Sequence, residues 1–269
     1  MKIKANGISI NCEVCGSGKW LTLVHGFGDN LEAWWYQLAA FSRHYRVLTY
    51  DVRGHGQTET PDEEYTMETG ARDLYELLKA LGVAETCVLG YSMGGRLAIE
   101  LALAHPGVVK ALVIANSPVA PVRQTQEELK ERMQVQQRWM EAIERYGLES
   151  VMDEMTTAMF CPGWPEQNPE TFAYYKGLRL KNNPGALVTV MRAGFRGEPS
   201  LPKVGALACP TLIIAGEHDN LMGTETARVG QATIPDARLK VMATGHASAI
   251  EKPEEFNAAV LEFLSQVTD

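Results

Sequence analysis

The segment Gly90-Tyr91-Ser92-Met93-Gly94-Gly95 stands between a short apolar run, Thr86-Cys87-Val88-Leu89, and a helical pattern, Arg96-Leu97-Ala98-Ile99-Glu100-Leu101-Ala102-Leu103. This order predicts a strand, a sharp turn and a helix, with a serine at the apex. A residue on so tight a turn crowds its neighbours, and flanking glycines, which lack Cβ, let strand and helix close around it. The Ser92 hydroxyl is thereby pushed out of the fold, where a nucleophile would stand.

Working outward, apolar runs of the same kind recur at Leu21-Thr22-Leu23-Val24, Val47-Leu48-Thr49-Tyr50, Ala111-Leu112-Val113-Ile114, Thr211-Leu212-Ile213-Ile214 and Leu239-Lys240-Val241-Met242. Helical patterns fall between and after them, at Met67 to Leu81, Gly94 to His105 and Pro253 to Val267. Such alternation predicts an α/β domain with a mainly parallel sheet covered by helices on both faces. The alternation stops between about Val119 and Pro202, a stretch rich in Met and aromatics and bounded by Pro118, Pro121, Pro199 and Pro202. There the patterns predict a helical insertion: one long helix over Gln126 to Tyr146, a second over Leu148 to Phe160 and a third over Glu170 to Leu180. A loop is expected at Cys161 to Pro165, and a turn at Asn182 to Gly185 before another short helix.

Composition narrows the function classes. The 269 residues suffice for a full core, and 45% hydrophobic with 22% charged residues is ordinary for a globular protein. A net charge of -8 without a basic cluster argues against nucleic acid as a partner, since phosphate binding needs a cationic face. No segment reads as a signal peptide or a membrane span, so a cytoplasmic protein is expected. The five cysteines are scattered and odd in number, which points to reduced thiols. Cys12 and Cys15 have CxxC spacing but lie in the alternating stretch Ile8 to Cys15, where residues three apart on a strand face opposite ways. No metal or cofactor is expected.

In open α/β sheets reactive groups gather where strands end. The first of the runs is followed by His25-Gly26-Phe27-Gly28, the second by Asp51-Val52-Arg53-Gly54-His55-Gly56, and the last two by Ala215-Gly216-Glu217-His218-Asp219 and Ala243-Thr244-Gly245-His246. A serine hydroxyl needs a neutral imidazole to take its proton and a carboxylate to orient that imidazole. Asp219 and His246 supply both, in the chain order Ser, Asp, His. Glu217 and Asp51 compete for the acid role; Asp51 reads better as part of a tight, side-chain-bonded turn. Backbone N–H groups of Phe27 and Met93 are positioned to stabilise an oxyanion.

Taken together, these motifs, with Gly245-His246-x-x-x-x-Glu251-x-Pro253-Glu254, resemble the α/β-hydrolase superfamily over nearly the whole chain. The resemblance implies an eight-stranded, mostly parallel sheet whose core comprises residues 1–118 and 203–269, with a cap at 119–202. A serine at the elbow sets the chain apart from haloalkane dehalogenases and epoxide hydrolases, which have aspartate there. Carbon–carbon hydrolases of aromatic ring-cleavage products usually carry asparagine before the serine and tryptophan after the histidine, where this chain has Tyr91 and Ala247.

The stretch Gly90 to Arg96 also resembles the menaquinone-pathway synthase that eliminates pyruvate. That family binds a polyanionic substrate through arginines, a pattern that Arg96 fits, with Arg132 and Arg179 as further candidates. Small esterases and enol-lactonases resemble the chain as well, including its Met155-bearing second cap helix. The expectation is a cofactor-free serine hydrolase that cleaves small carboxylic esters through an acyl-enzyme, with enol-lactonase, synthase-like lyase on a carboxylated substrate, or carbon–carbon hydrolase activity as the alternatives. His25, Tyr91, Arg96, Met155 and Trp164 are the expected substrate contacts, the last two lining an apolar acyl pocket under the cap. A ligand-binding receptor on the same fold is the alternative of a different class.

Overall fold

The computed structural model describes residues 1–61, 65–120, 125–193 and 201–267. Eight strands form one sheet: β1 (Lys2–Ala5), β2 (Ile8–Gly16), β3 (Trp20–Val24), β4 (Arg46–Tyr50), β5 (Thr86–Tyr91), β6 (Val109–Ala115), β7 (Thr211–Gly216) and β8 (Ala237–Met242). Their order is β1-β2-β4-β3-β5-β6-β7-β8, parallel throughout except where β2 pairs with β1 and with β4. The strands β5 and β7 are buried along their whole length, as central strands covered on both faces must be. β1, which the apolar runs did not predict, is tied to β2 by Asn6-Gly7, both with positive φ (47° and 81°), the backbone of a two-residue hairpin turn.

Helices α1 (Trp35–Phe41), α2 (Met67–Ala80), α3 (Met93–Ala104), α9 (Glu225–Thr233), α10 (Ser248–Glu251) and α11 (Pro253–Val267) belong to the sheet unit. Period-two alternation splits the strand side chains between two cores. On one face Val24, Leu48, Val88, Leu112 and Ile213 meet Leu74 and Leu77 of α2 and Leu97 and Leu101 of α3. On the other, Leu23, Val47, Leu89, Val113 and Ile214 meet Phe41 of α1 and Phe256, Val260 and Phe263 of α11. Cys12 is buried and Cys15 half-buried, and the five cysteines are free thiols.

Between β6 and β7 the described residues contain no strand. They form α4 (Gln126–Tyr146), α5 (Glu149–Thr157), α6 (Trp164–Gln167), α7 (Pro169–Arg179) and α8 (Pro184–Ala193). Thr125 and Glu128 make a reciprocal capping box that starts α4. The loop expected at Cys161 to Pro165 turns instead into the short α6, because Gly163 takes φ 81° at its start and Pro165 fits a first helical turn. α5 ends at Thr157, short of the expected Phe160. Pro121 and Pro199, two of the prolines taken to bound the insertion, lie outside the described residues. Ile143, Leu148, Val151, Met152, Met155, Leu187, Val188 and Met191 give the insertion an apolar cluster of its own.

Candidate active site

Ser92 sits between β5 and α3 with φ 53° and ψ −117°, a conformation a non-glycine residue holds only when its surroundings over-determine it. Here its N–H donates to the Ala115 carbonyl at 2.9 Å, and Gly90, Gly94 and Gly95 remove every Cβ that would obstruct the turn. A Cβ on Gly94 would lie 2.1 Å from the Val24 carbonyl oxygen; one on Gly90 would lie 2.3 Å from the Gly94 carbonyl oxygen. The glycines thus let three backbone segments touch.

His246 Nε2 lies 2.9 Å from Ser92 Oγ, and His246 Nδ1 lies 2.8 Å from Asp219 Oδ2. Asp219 also accepts the N–H groups of Leu221 and Met222 on Oδ1, at 2.9 and 3.0 Å. Burial alone would raise the Asp219 carboxyl, but its bond and charge interaction with His246, the Met222 N–H and the Asn116 amide outweigh burial and lower its pKa. Glu217, the nearer acid to the strand end, is exposed. Asp51 is buried in its own turn, accepting Leu31 N–H, Gln57 N–H and the Asn11 amide, each at 2.8 Å. A Cβ on Gly56 would lie 2.2 Å from that carboxylate.

Met93 opens α3, so its N–H is among those that no carbonyl within the helix accepts, at the end where the helix dipole is positive. The loop of residues 25–30 follows β3 directly and packs against the same helix end, since a Cβ on Gly94 would also meet the His25 carbonyl oxygen at 2.6 Å. This brings Phe27 to the elbow's side of the sheet. Its ring meets the His55 ring edge-on, 5.7 Å between centroids, and packs against the cap's apolar cluster.

Asn116 was not singled out from sequence. At φ 46° just past β6, its amide donates to Asp219 Oδ2 at 3.2 Å and to the Gly245 carbonyl at 3.3 Å, joining the acid to the histidine's loop. The readable signal was an Asn, which tolerates left-handed backbone, directly after a strand beside β7. Glu251 secures the other side of that loop by accepting Gly245 N–H at 2.9 Å and Cys161 N–H at 3.4 Å.

The expected substrate contacts divide. His25 is fully buried with both ring nitrogens engaged: Nδ1–H donates to the Gly26 carbonyl at 2.8 Å and Nε2 accepts Val52 N–H at 2.9 Å. Burial lowers its pKa to about 4 and keeps it neutral, so its polar atoms fasten backbone and are not available to a substrate. The Tyr91 ring lies between Trp34 and His246, with centroids 6.4 and 5.3 Å away. Met155 is buried in the insertion's apolar cluster with Ile143 of α4 and Leu187, Val188 and Met191 of α8, a cluster against which Phe27 also packs. Trp164 stacks on Phe160 at 4.4 Å between centroids, a contact within the insertion, and both pack on the apolar cluster shared with the sheet.

Among the arginines, Arg179 is buried, donating to Thr156 Oγ1 at 3.0 Å with its Nε 3.6 Å from Asp29 Oδ1. Arg132 is exposed on α4. Arg96 is half-buried in the first turn of α3, where burial lowers its pKa against the charges of Glu100 and Glu68.

The fold and this site define an α/β hydrolase. The family model for the alpha/beta hydrolase fold matches residues 19–253, and the chain belongs to that family. It is similar to RutD of Enterobacter cloacae, provisionally named a carbamate hydrolase, with 28% identity over 250 residues covering 92% of this chain and 91% of the relative. Among solved structures it is similar to the enol-lactonase from Burkholderia xenovorans, with a TM-score of 0.88, 25% identity and coverage of 98% of this chain and 100% of the other. A thermophilic esterase from Thermogutta terrifontis also has a TM-score of 0.88, with 26% identity and coverage of 99% and 98%. Among the described residues no helix is long and apolar enough to cross a membrane.

Proposed function

We propose that the protein is a serine carboxylic-ester hydrolase acting on small esters, cyclic enol-lactones included. The observation that carries this reading is the continuous hydrogen-bonded chain from Ser92 Oγ through His246 to Asp219. His246 takes the Ser92 proton as the oxygen attacks the ester carbonyl. Asp219, held ionised by its lowered pKa, keeps Nδ1 protonated and Nε2 ready as the base. The negative charge that develops on the carbonyl oxygen is met by the N–H groups of Met93 and Phe27, each such donor being worth about 3 kcal/mol. His246 then protonates the departing alcohol, leaving an acyl group on Ser92. A water deprotonated by His246 attacks that acyl carbon and releases the acid.

Of the three candidate arginines, Arg179 is held away from a polyanionic substrate by its own partners. Arg179 is engaged by Asp29 and Thr156, Arg132 faces solvent, and Arg96 shares its surroundings with two glutamates. The similarity to an enol-lactonase and an esterase supports the same chemistry. The test is turnover of p-nitrophenyl acetate, p-nitrophenyl butyrate and an enol-lactone. Ser92→Ala is expected to lose about 10⁶-fold in kcat, Asp219→Asn about 10⁴-fold, and Glu217→Gln less than twofold. Undiminished turnover in Ser92→Ala, or no ester turned over by the unaltered protein, overturns the reading. The second outcome, with a ligand-dependent rise in melting temperature, would identify a receptor.

A further inference from the structure

The loop of residues 25–30 supplies the Phe27 N–H, yet much of what holds it comes from the cap. Four contacts reach it from the last turns of α7 and the residues just beyond. Asn182 Nδ2 donates to the Gly28 carbonyl at 2.8 Å, and Asn30 Nδ2 donates to the Leu178 carbonyl at 2.7 Å. Tyr175 Oη donates to Asp29 Oδ1 at 2.6 Å, and Arg179 pairs with the same carboxylate oxygen. Gly28 has φ 76°, and Arg179 Nη2 sits 2.8 Å from where its Cβ would be, so the guanidinium lies against the loop backbone. Asn182 Oδ1 meanwhile accepts Gly56 N–H at 2.7 Å, joining this loop to the one after β4.

As a source of stability the Arg179–Asp29 pair is poor. Both partners are buried, Arg179 Nε has no hydrogen-bond partner, and burial raises the Asp29 pKa against the pull of Arg179 and Tyr175. Removing one partner of such a pair strands the other as an uncompensated buried charge, so the pair ties the two segments together even where it adds little net stability. A donor misplaced by a fraction of an ångström loses much of its hold on an oxyanion while ground-state binding barely changes.

We infer that Asn182 and Arg179 are positioning residues: from the cap they set the backbone of the Gly26–Asp29 loop, and with it the Phe27 N–H, for oxyanion stabilisation. The inference rests on the ester-hydrolase reading for its catalytic half only. Its structural half is that the 25–30 loop is ordered by the cap, and this stands whatever the substrate.

The experiment compares Asn182→Ala and Arg179→Lys with the unaltered protein and with Lys181→Ala, which removes only the exposed Lys181–Glu32 pair between the cap and that end of the sheet. Three quantities are read: kcat and KM on p-nitrophenyl butyrate, inhibition by phenylboronic acid, and amide hydrogen exchange in a peptide spanning residues 25–30. Both positioning variants are expected to lose about tenfold in kcat with KM within twofold. The boronate, whose tetrahedral adduct uses the same donors, should weaken by a similar factor. Exchange in the loop should quicken, and Lys181→Ala should match the unaltered protein in all three.

Unchanged exchange in the loop, or faster exchange with kcat and boronate inhibition intact, overturns the inference, as does a change confined to KM. If Asn182→Ala fails to fold, Arg179→Lys is judged by the same criteria. If the unaltered protein hydrolyses no ester, the ester reading falls, and exchange in the two variants still decides whether the cap orders the loop.

Discussion

Two turns serve the same hydroxyl and are built in opposite ways. The elbow at Ser92 is held by backbone against backbone, glycines of β5 and α3 touching carbonyls within the sheet unit. The loop after β3 is held largely by side chains borrowed from an insertion some 150 residues later in the chain, Tyr175, Arg179 and Asn182. The first device tolerates no added atom and depends on nothing outside the core. The second tolerates adjustment, and couples the site to whatever the cap does. The Ser92 turn and the loop of residues 25–30 are therefore held by separable means.

The largest expected effect breaks the rigid half. Gly94→Ala would drive a methyl group to 2.1 Å from the Val24 carbonyl oxygen. Because neither backbone can yield cheaply, a loss of about 4 kcal/mol or more is expected, with ester turnover abolished. A denaturation midpoint close to that of the unaltered protein would show that the elbow is softer than its contacts imply. An intermediate effect comes from loosening the cap while sparing the elbow. Met155→Ala empties part of the cap cluster and should cost about 2–3 kcal/mol. Below the melting temperature, amide exchange in a peptide spanning residues 90–95 should match that of the unaltered protein, and quickened exchange there would contradict the separation of the two regions.

The smallest effect concerns the buried imidazoles beneath the oxyanion loop. His25 and His55 are fully buried, with pKa values lowered by burial to about 4 and about 3, and His25 pushes His55 down further. The unfolded chain takes up protons at both near pH 6.5, whereas the folded chain does not. Their contribution is therefore whole above pH 6.5 and drains on acidification toward the folded values, at up to about 1.4 kcal/mol per pH unit for each. Asp29 and Glu251, raised by burial, run the other way above the ordinary carboxylate range. Urea midpoints of His55→Asn between pH 6.5 and 4.5 should fall less steeply than those of the unaltered protein. Parallel slopes would mean that His55 is protonated in the folded state.

The sheet was legible because apolar runs mark buried strands, and the juxtaposition of Ser92, His246 and Asp219 could be anticipated because each follows a strand end on one edge of that sheet. β1 was missed because Lys2–Ala5 is short and half charged, although Asn6-Gly7 carried the hairpin signal. Tyr91 and His25 were read as substrate contacts because a residue beside a reactive one can point either way. Which way is decided by packing against Trp34 and Val52, far along the chain. The place of Met155 in the insertion's apolar cluster was not legible, because an apolar residue on such a helix has the same pattern whether it faces a pocket or packs among its neighbours. The ties of Asn182 and Arg179 to residues 28 and 29 have no local signature.

The sheet order has a consequence for how the chain is made. β6 ends at Ala115, while its second neighbour β7 begins only at Thr211, after the entire cap. At ordinary synthesis rates of about 5–20 residues per second, the edge of β6 emerges roughly 5–20 s before its partner. During that interval the nascent chain presents Ala111-Leu112-Val113-Ile114-Ala115, an uncharged and wholly apolar strand edge, to any other strand nearby. The interval between the completion of β6 and the arrival of β7 is therefore the stage of synthesis at which that edge is open to pairing with another strand.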